Sequence, residues 1–179
     1  MTRYVALLRS VNVAGHGRLS MPELKASVEA LGHADVCTYI QTGNVLFRSS
    51  TKKVANLVHD LEAQLEADFG HAPAVLIRSA ADLARVARTS PYPDQGADPS
   101  RHHVTFLAET PTAKCLADFS PPSSGRDDLA IIGQEVYVHT PDGYARTKLT
   151  GSYLERHLGV VSTTRNWNTV TKLAQLLSD

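Results

Sequence analysis

The chain alternates short apolar runs with longer segments whose apolar residues recur at helical spacing. The run from Arg3 to Arg9 predicts a central strand that is apolar on both faces. A loop follows from Val11 to Ser20, and Ser20 with Glu23 has the spacing of a capping box at a helix start. We expect this helix to end at Gly32, because glycine readily takes the left-handed conformation that closes a helix.

A predicted hairpin is the centre of the first half. Val36–Ile40 and Val45–Phe47 are rich in β-branched and aromatic residues, which favour strands. Thr42-Gly43-Asn44 between them supplies the small residues of a tight turn. After the hairpin, an apolar stripe from Val54 to Leu65 predicts a second helix, and Ala74–Ile77 predicts a fourth strand. The order of elements is therefore βαββαβ.

The second half repeats this order. His102–Ala108 predicts a strand, Thr110-Pro111 a helix start, and Leu129–Ile132 with Glu135–His139 a second hairpin. The remaining predicted elements are a helix at Leu149–Leu158, a short strand at Val160-Val161 and a final helix from Asn166.

Together these elements predict an α+β fold of two ferredoxin-like (βαββαβ) halves, each with a trailing helix, covering the full chain. Ser79 and Asp82 open the first trailing helix with cap spacing. The predicted halves span residues 1–87 and 101–179. Proline and glycine between residues 88 and 100 predict a linker.

Composition narrows the class of protein. The 179 residues are 42% hydrophobic and 20% charged, with a formal net charge of zero. Zero net charge gives no bulk electrostatic reason for a nucleic-acid or membrane partner. We find no signal peptide and no apolar run of membrane-spanning length, so a cytoplasmic protein is expected. Cys37 and Cys115 are expected to be buried thiols rather than a disulfide.

Three ordered segments resemble one bacterial family. They are residues 4–9 (Tyr-Val-Ala-Leu-Leu-Arg) with residues 11–13 (Val-Asn-Val), residues 39–45 (Tyr-Ile-Gln-Thr-Gly-Asn-Val) and residues 164–170 (Thr-Arg-Asn-Trp-Asn-Thr-Val). On these motifs the chain is similar to the family named domain of unknown function 1697, over essentially its full length. The resemblance implies a duplicated α+β fold and no particular reaction. Ser10 and Ala14 stand where that family usually has glycine.

The first candidate site is the loop from Asn12 to Ser20. It leaves a central strand and enters a helix N-terminus, where unpaired N–H groups favour an anion. We predict anion binding by Arg9, Asn12, Gly15, His16, Gly17 and Arg18. The alternative is a surface loop with glycines for turning and Ser20 as a cap.

The second candidate is Thr163–Asn168, from which Arg165 and Asn166 are predicted to bind the same kind of anion. Between residues 143 and 178 there are five basic residues and one acidic residue, so this stretch carries a local charge of +4. The alternative is a solvated basic face, with both asparagines bonding nearby backbone. For Trp167, core packing is favoured over base stacking.

The third candidate is the tip of the first hairpin. Gln41, Thr42 and Asn44 are predicted polar contacts to a ligand, although turn formation alone explains Gly43 and Asn44. The tip and the Asn12–Ser20 loop are expected at opposite ends of the sheet, so that they could not form one site within one half.

The sequence contains no recognisable pattern of a catalytic or metal-binding site. His102 and His103 are adjacent in a strand and point to opposite faces, so they cannot chelate one metal together. We expect neither a metal site nor a cofactor. The favoured hypothesis is a non-catalytic anion-binding module for a nucleotide or a nucleic-acid backbone. Two alternatives stay open. One is an enzyme for a phosphorylated metabolite at the cleft between the halves, with His16 or another histidine as acid or base. The other is an interaction module that pairs through an exposed sheet edge or as a homodimer.

Overall fold

The structure, a computed structural model, describes residues 1–12, 19–92, 98–122 and 125–178. The chain divides into two compact units: Met1–Ala84 with Leu173–Asp179, and Arg85–Lys172. The described residues form helices and two four-stranded antiparallel sheets. This architecture confirms the predicted mixed α+β class. Within these ranges no helix is long and apolar enough to cross a bilayer. The domain limits of 1–87, 88–100 and 101–179 stay a prediction.

The first unit is built on a sheet with the strand order β2-β3-β1-β4. Every neighbouring pair in it is antiparallel. The first strand therefore lies in the interior of the sheet, which accounts for its continuous apolar run. The elements are β1 (Thr2–Leu8), α1 (Met21–Ala30), β2 (Ala34–Tyr39), β3 (Asn44–Ser49), α2 (Val54–Phe69) and β4 (Val75–Ser79).

The core of the first unit lies between one face of this sheet and the two helices. Tyr4, Ala6 and Leu8 alternate on that face, and Leu24 of α1 and Leu61 of α2 pack with them, each at most 3% exposed. Full burial of one leucine side chain contributes about 1.5–3 kcal/mol. The intervening residues of β1 are also fully buried, so both faces of the strand are removed from water.

The second unit has a sheet with the strand order β6-β7-β5-β8. Its strands are also antiparallel, and the apolar side chains of Leu107, Val136 and Val138 pack with Leu154 and Leu158. The remaining elements of the chain are α3 (Ala80–Arg88), β5 (His102–Leu107), α4 (Ala113–Asp118), β6 (Asp128–Ile132), β7 (Glu135–His139), α5 (Gly151–Leu158), β8 (Ser162–Asn166) and α6 (Trp167–Ser178).

The two predicted capping boxes differ in outcome. At α3, Ser79 N donates to Asp82 Oδ2 (3.0 Å) and Asp82 N donates to Ser79 Oγ (3.2 Å), which confirms the prediction. At α1, Ser20 occupies the cap position but its side chain makes no cap hydrogen bond, so this prediction is wrong. A proline in the first turn of α1 removes one of the backbone N–H groups that a cap would satisfy.

The last strand is displaced from its predicted position. Val160 and Val161 lie before β8, which is formed by the polar residues of Ser162–Asn166, so the strand prediction was wrong. Its polar side chains have partners: Thr164 Oγ1, which is partly buried, lies 2.8 Å from Thr105 Oγ1 of the buried strand β5. A polar strand can be buried when its hydroxyls are paired, and an apolar pattern does not reveal such a strand.

Neither cysteine is fully buried, contrary to the expectation. Cys37 is exposed on the edge strand β2, whose core-facing side chain is Val36, and Cys115 is partly exposed. Because neighbouring residues in a strand face opposite sides, burial of Val36 places Cys37 outward. Both cysteines are free thiols, as predicted.

Candidate functional site

The end of β1 and the tip of the first hairpin lie together, and we call residues 8–12 and 39–44 the hairpin edge. Leu7 pairs with Asn44, and Leu8 N donates to the carbonyl oxygen of Gly43 (2.8 Å). The expectation that these segments lie at opposite ends of the sheet was therefore wrong. Since β1 and β3 are antiparallel neighbours, the end of one strand lies beside the start of the other.

Asn12 connects the two segments of the hairpin edge. Its Nδ2 donates to the carbonyl oxygens of Leu19 and Gln41, both at 2.9 Å, and its Oδ1 accepts from Leu19 N at 2.9 Å. The side-chain amide thus links three segments: the residues that follow β1, the residues that precede α1 and the hairpin tip. Asn12, which the sequence predicts to bind an anion, therefore forms these hydrogen bonds with backbone groups of the protein itself.

The backbone of the hairpin edge is strained. Ser10, Asn12 and Ile40 have positive φ angles of 55°, 55° and 49°, three of the four non-glycine residues in the described ranges that do. For such residues the left-handed conformation costs roughly 1–2 kcal/mol. Strained residues cluster at ligand-binding and active sites more often than elsewhere.

Gly43 allows the close approach of the two segments. Its φ is +75°, and a Cβ built on it would lie 2.8 Å from Leu8 Cβ and 3.2 Å from Val11 Cβ. The conformation and the packing therefore both require glycine at this turn.

The predicted polar contacts of the hairpin tip divide into a buried and an exposed group. Asn44 is fully buried, and its Nδ2 donates to the carbonyl oxygen of Tyr39 (3.0 Å) and to Thr42 Oγ1 (3.1 Å). Its role is to hold the turn. Gln41 and Thr42 are exposed, as is the Ile40 side chain at 46%. A ligand at this edge would meet these three residues.

The hairpin edge contains a cation and no acidic residue. Arg9 follows β1, is half-buried and is fixed through its backbone N–H to the carbonyl oxygen of Ala74 (2.9 Å). On α2, the Glu62 carboxylate accepts from Val75 N (2.9 Å) of the neighbouring strand β4. Gly15, His16, Gly17 and Arg18, also predicted for this site, lie outside the described residues.

The residues of the second candidate site, which lie in the second unit, form hydrogen bonds within the protein. Arg165 is 8% exposed, and its Nη1 donates to Thr163 Oγ1 (2.7 Å) and to the carbonyl oxygen of Thr164 (3.0 Å). Burial lowers the pKa of Arg165 to about 10, so the guanidinium stays charged at neutral pH. Asn166 Oδ1 accepts from Asn168 N (2.9 Å) at the start of α6. Trp167 is 5% exposed, as core packing requires.

A histidine cluster at one end of β5 was not singled out from the sequence as a site. The rings of His102 and His139 stack at 4.5 Å with 8° between their planes, and His103 stacks on Tyr144 at 4.2 Å. Burial, with a smaller effect of His102, lowers the pKa of His103 to about 4. No three His, Cys, Asp or Glu side chains converge as metal ligands anywhere in the described ranges. Cross-strand pairing creates this cluster, and only the structure reveals it.

Two cavities flank the helices and contain none of the predicted site residues. One of about 250 Å³ lies beside the start of β6, between Phe119, Leu129 and Lys148. The other, of about 300 Å³, lies between α1 and α2 beside Ser27 and Asp68, whose Oγ and Oδ2 are 2.6 Å apart. Neither cavity joins a nucleophile to a histidine, so neither has the geometry of acyl-transfer catalysis.

Comparison with known proteins agrees with the fold. The conserved bacterial protein SP0830 from Streptococcus pneumoniae is similar over 100% of this chain and 99% of its own, with a TM-score of 0.76 and 25% sequence identity. No curated protein sequence matches the chain. The family model described as "Protein of unknown function (DUF1697)" matches residues 1–137, which include the hairpin edge. The chain therefore belongs to the DUF1697 family.

Proposed function

We propose that the protein is a non-catalytic anion-binding module whose hairpin edge binds a nucleotide or a nucleic-acid backbone. The observation that carries the proposal is the convergence of the end of β1 with the hairpin tip, fixed by Asn12. The cation Arg9 and the exposed residues Gln41 and Thr42 belong to these preorganised segments, which supports the proposal. Preorganised groups bind a ligand with less loss of conformational entropy.

The ligand class follows from the chemistry of the edge. A guanidinium recognises phosphate oxygens, and the amide and hydroxyl of Gln41 and Thr42 supply further polar contacts. Ile40 adds an exposed apolar surface, 46% accessible, that suits the flat face of a base. A ligand that combines a phosphate with an aromatic ring, as nucleotides do, fits this combination of groups.

Residue chemistry supports binding rather than catalysis. The described residues of the hairpin edge include no carboxylate, histidine or cysteine, so they offer no general acid or base that titrates near neutral pH. The enzyme alternative with His16 stays a prediction, because His16 lies outside the described residues. Binding by Arg165 and Asn166 also stays a prediction, and the internal bonds of both side chains do not favour it.

We also propose that the two units are ferredoxin-like and arose by duplication. The shared element order and the equivalent strand orders β2-β3-β1-β4 and β6-β7-β5-β8 support this relation. A cytoplasmic location stays a prediction.

The test is a titration with ATP and with a single-stranded oligonucleotide at about 50 and 200 mM salt. Arg9→Ala should weaken binding roughly tenfold, corresponding to about 1.4 kcal/mol. Arg156→Ala removes an equal charge from the exposed surface of α5 and is the matched control. Affinity that falls with salt and with Arg9→Ala supports the proposal. If Arg9→Ala leaves anion affinity unchanged, the assignment of the site to the hairpin edge is wrong.

A further inference from the structure

The outer edge of β6 has little of the protection that edge strands usually carry. β6 is one of the two terminal strands of the second sheet, with β8 at the other end, and pairs with β7 in unbroken register from Asp128↔His139 to Ile132↔Glu135. Its one charged residue is Asp128 at its start; it carries no lysine, arginine or proline and ends on Ile132, which is 38% exposed. Natural edge strands usually carry charges, prolines or bulges that prevent pairing with another chain.

One of the two edge strands of the first sheet, β2, has this protection. The register of β2 shifts between Ala34 and Cys37, as a bulge produces, and Asp35 there has a φ of 52°. The Asp35 carboxylate also pairs with Arg48 Nη1 at 2.8 Å. Of these two edges, only that of β6 is suited to accept another strand.

The register of the β6–β7 hairpin identifies which backbone N–H and C=O groups of β6 point away from the sheet. A two-residue loop, Gly133-Gln134, joins β6 to β7, so the pair next to the loop, Ile132 and Glu135, exchanges both hydrogen bonds. Alternate residues Ala130 and Asp128 likewise bond β7. Leu129 and Ile131 therefore direct their N–H and C=O groups away from the sheet. In agreement, Leu129 N donates to the Asp128 side chain (Oδ1, 2.8 Å).

We propose that a second copy of this chain pairs along β6, in antiparallel orientation about a two-fold axis at Ala130. In that register Leu129 of each copy exchanges two backbone bonds with Ile131 of the other, and Ala130 lies opposite Ala130. In this register the apolar Leu129 and Ile131 meet and the small alanines allow close approach, whereas Asp128 of each copy lies opposite the exposed Ile132 of the other. The two Asp128 carboxylates lie at opposite ends of the interface, so like charges are kept apart.

One strand edge buries less area than a standard stable interface of about 1,200–2,000 Å², so the dimer is weak and forms with rising concentration. Asp128 competes with it, since its carboxylate already accepts from one outward N–H. Asp128→Ala should therefore strengthen association about fivefold to tenfold. Ile131→Pro removes an outward donor without removing a bond to β7, and should weaken association at least tenfold.

Disulfide trapping tests the register directly, in a chain with Cys37→Ser and Cys115→Ser. Across a non-hydrogen-bonded pair the Cα atoms are about 4.5 Å apart, within the range that a disulfide spans. Ala130→Cys should therefore form a covalent dimer with oxidised glutathione. Ile132→Cys is the control: it is exposed, but its equivalents lie about 13 Å apart in this register.

Sedimentation equilibrium of the unmodified chain completes the test. A mass that rises with concentration, together with selective linkage of Ala130→Cys, supports pairing along β6. A monomer at every concentration, or equal linkage of Ala130→Cys and Ile132→Cys, overturns it. Binding of extended peptides to a chain that stays monomeric would also overturn it and would assign the edge to another partner.

Discussion

Asn12 Nδ2 lies 2.9 Å from the carbonyl oxygen of Gln41, 29 residues further along the chain. This bond joins the end of β1 to the tip of the first hairpin. Asn12→Asp keeps the size of the side chain but replaces the amide donor by oxygen, which faces the two carbonyl oxygens of Leu19 and Gln41. We expect a loss of about 2–3 kcal/mol in the free energy of unfolding, measured by urea denaturation.

Asn12→Gly separates this effect from backbone strain. Glycine relieves the positive φ of 55° but removes all three side-chain bonds. If Asn12→Gly is as stable as the unchanged protein, the bonds to Leu19 and Gln41 do not hold the hairpin edge together.

Gly43→Ala should destabilise the protein by about 1–3 kcal/mol, because the new Cβ meets Leu8 Cβ in a close-packed region and the left-handed φ is retained. Gly32→Ala is the matched control: its φ is +78°, but nothing lies within 4 Å of the added Cβ. Thermal unfolding compares the two. Equal losses would show that conformation alone, and not the approach of β1, requires glycine at position 43.

His103 should make stability depend on pH. Its folded pKa, about 4, is below the unfolded value of 6.5, so the unfolded chain binds more protons between these values. The contribution of neutral His103 is therefore fully present above about pH 6.5 and is lost as the pH falls toward 4. The loss is at most about 3 kcal/mol.

Denaturation at pH 7.5 and pH 5 tests this dependence. His103→Gln should flatten it, whereas His59→Gln, at an exposed position of α2, should leave it unchanged. An unaltered pH dependence in His103→Gln would assign the effect to other groups.

The ion pair between Arg85 Nη1 and Glu135 Oε2, 3.0 Å apart, joins α3 to β7. Glu135 is fully buried and the Arg85 side chain is 42% exposed. Arg85→Ala removes the cation beside a buried carboxylate and should cost about 1.5–3 kcal/mol of stability. Arg85→Ala with Glu135→Gln should recover part of this loss, since the buried group is then neutral. Chemical denaturation of both variants measures the difference.

Local apolar patterns predicted most of the helices and strands. The Arg3–Arg9 run became β1 at Thr2–Leu8, and the Val54–Leu65 stripe became α2 at Val54–Phe69. The pattern failed at β8, because its polar side chains are satisfied by residues distant in sequence, as in the Thr105–Thr164 pair. Side-chain pairing across strands is a non-local property that no window of sequence contains.

The candidate site was predicted less completely. Arg9, Asn12, Gln41 and Thr42 were named from the sequence, but their convergence follows from the strand order, which brings β1 beside β3. The burial of Arg165 was missed for the same reason: a basic residue in a polar stretch suggests a solvated surface until its strand is placed in a sheet.

The left-handed conformation of Ser10 bears on how this loop can diverge during evolution. Serine at a φ of 55° costs roughly 1–2 kcal/mol, whereas glycine avoids that cost but loses about 0.5–1 kcal/mol more in conformational entropy on folding. The entropic effect offsets about half of the strain, so glycine keeps an advantage of roughly 0.5–1 kcal/mol at this position. Serine is tolerated there at that modest cost, and lineages that differ there can share the same backbone path.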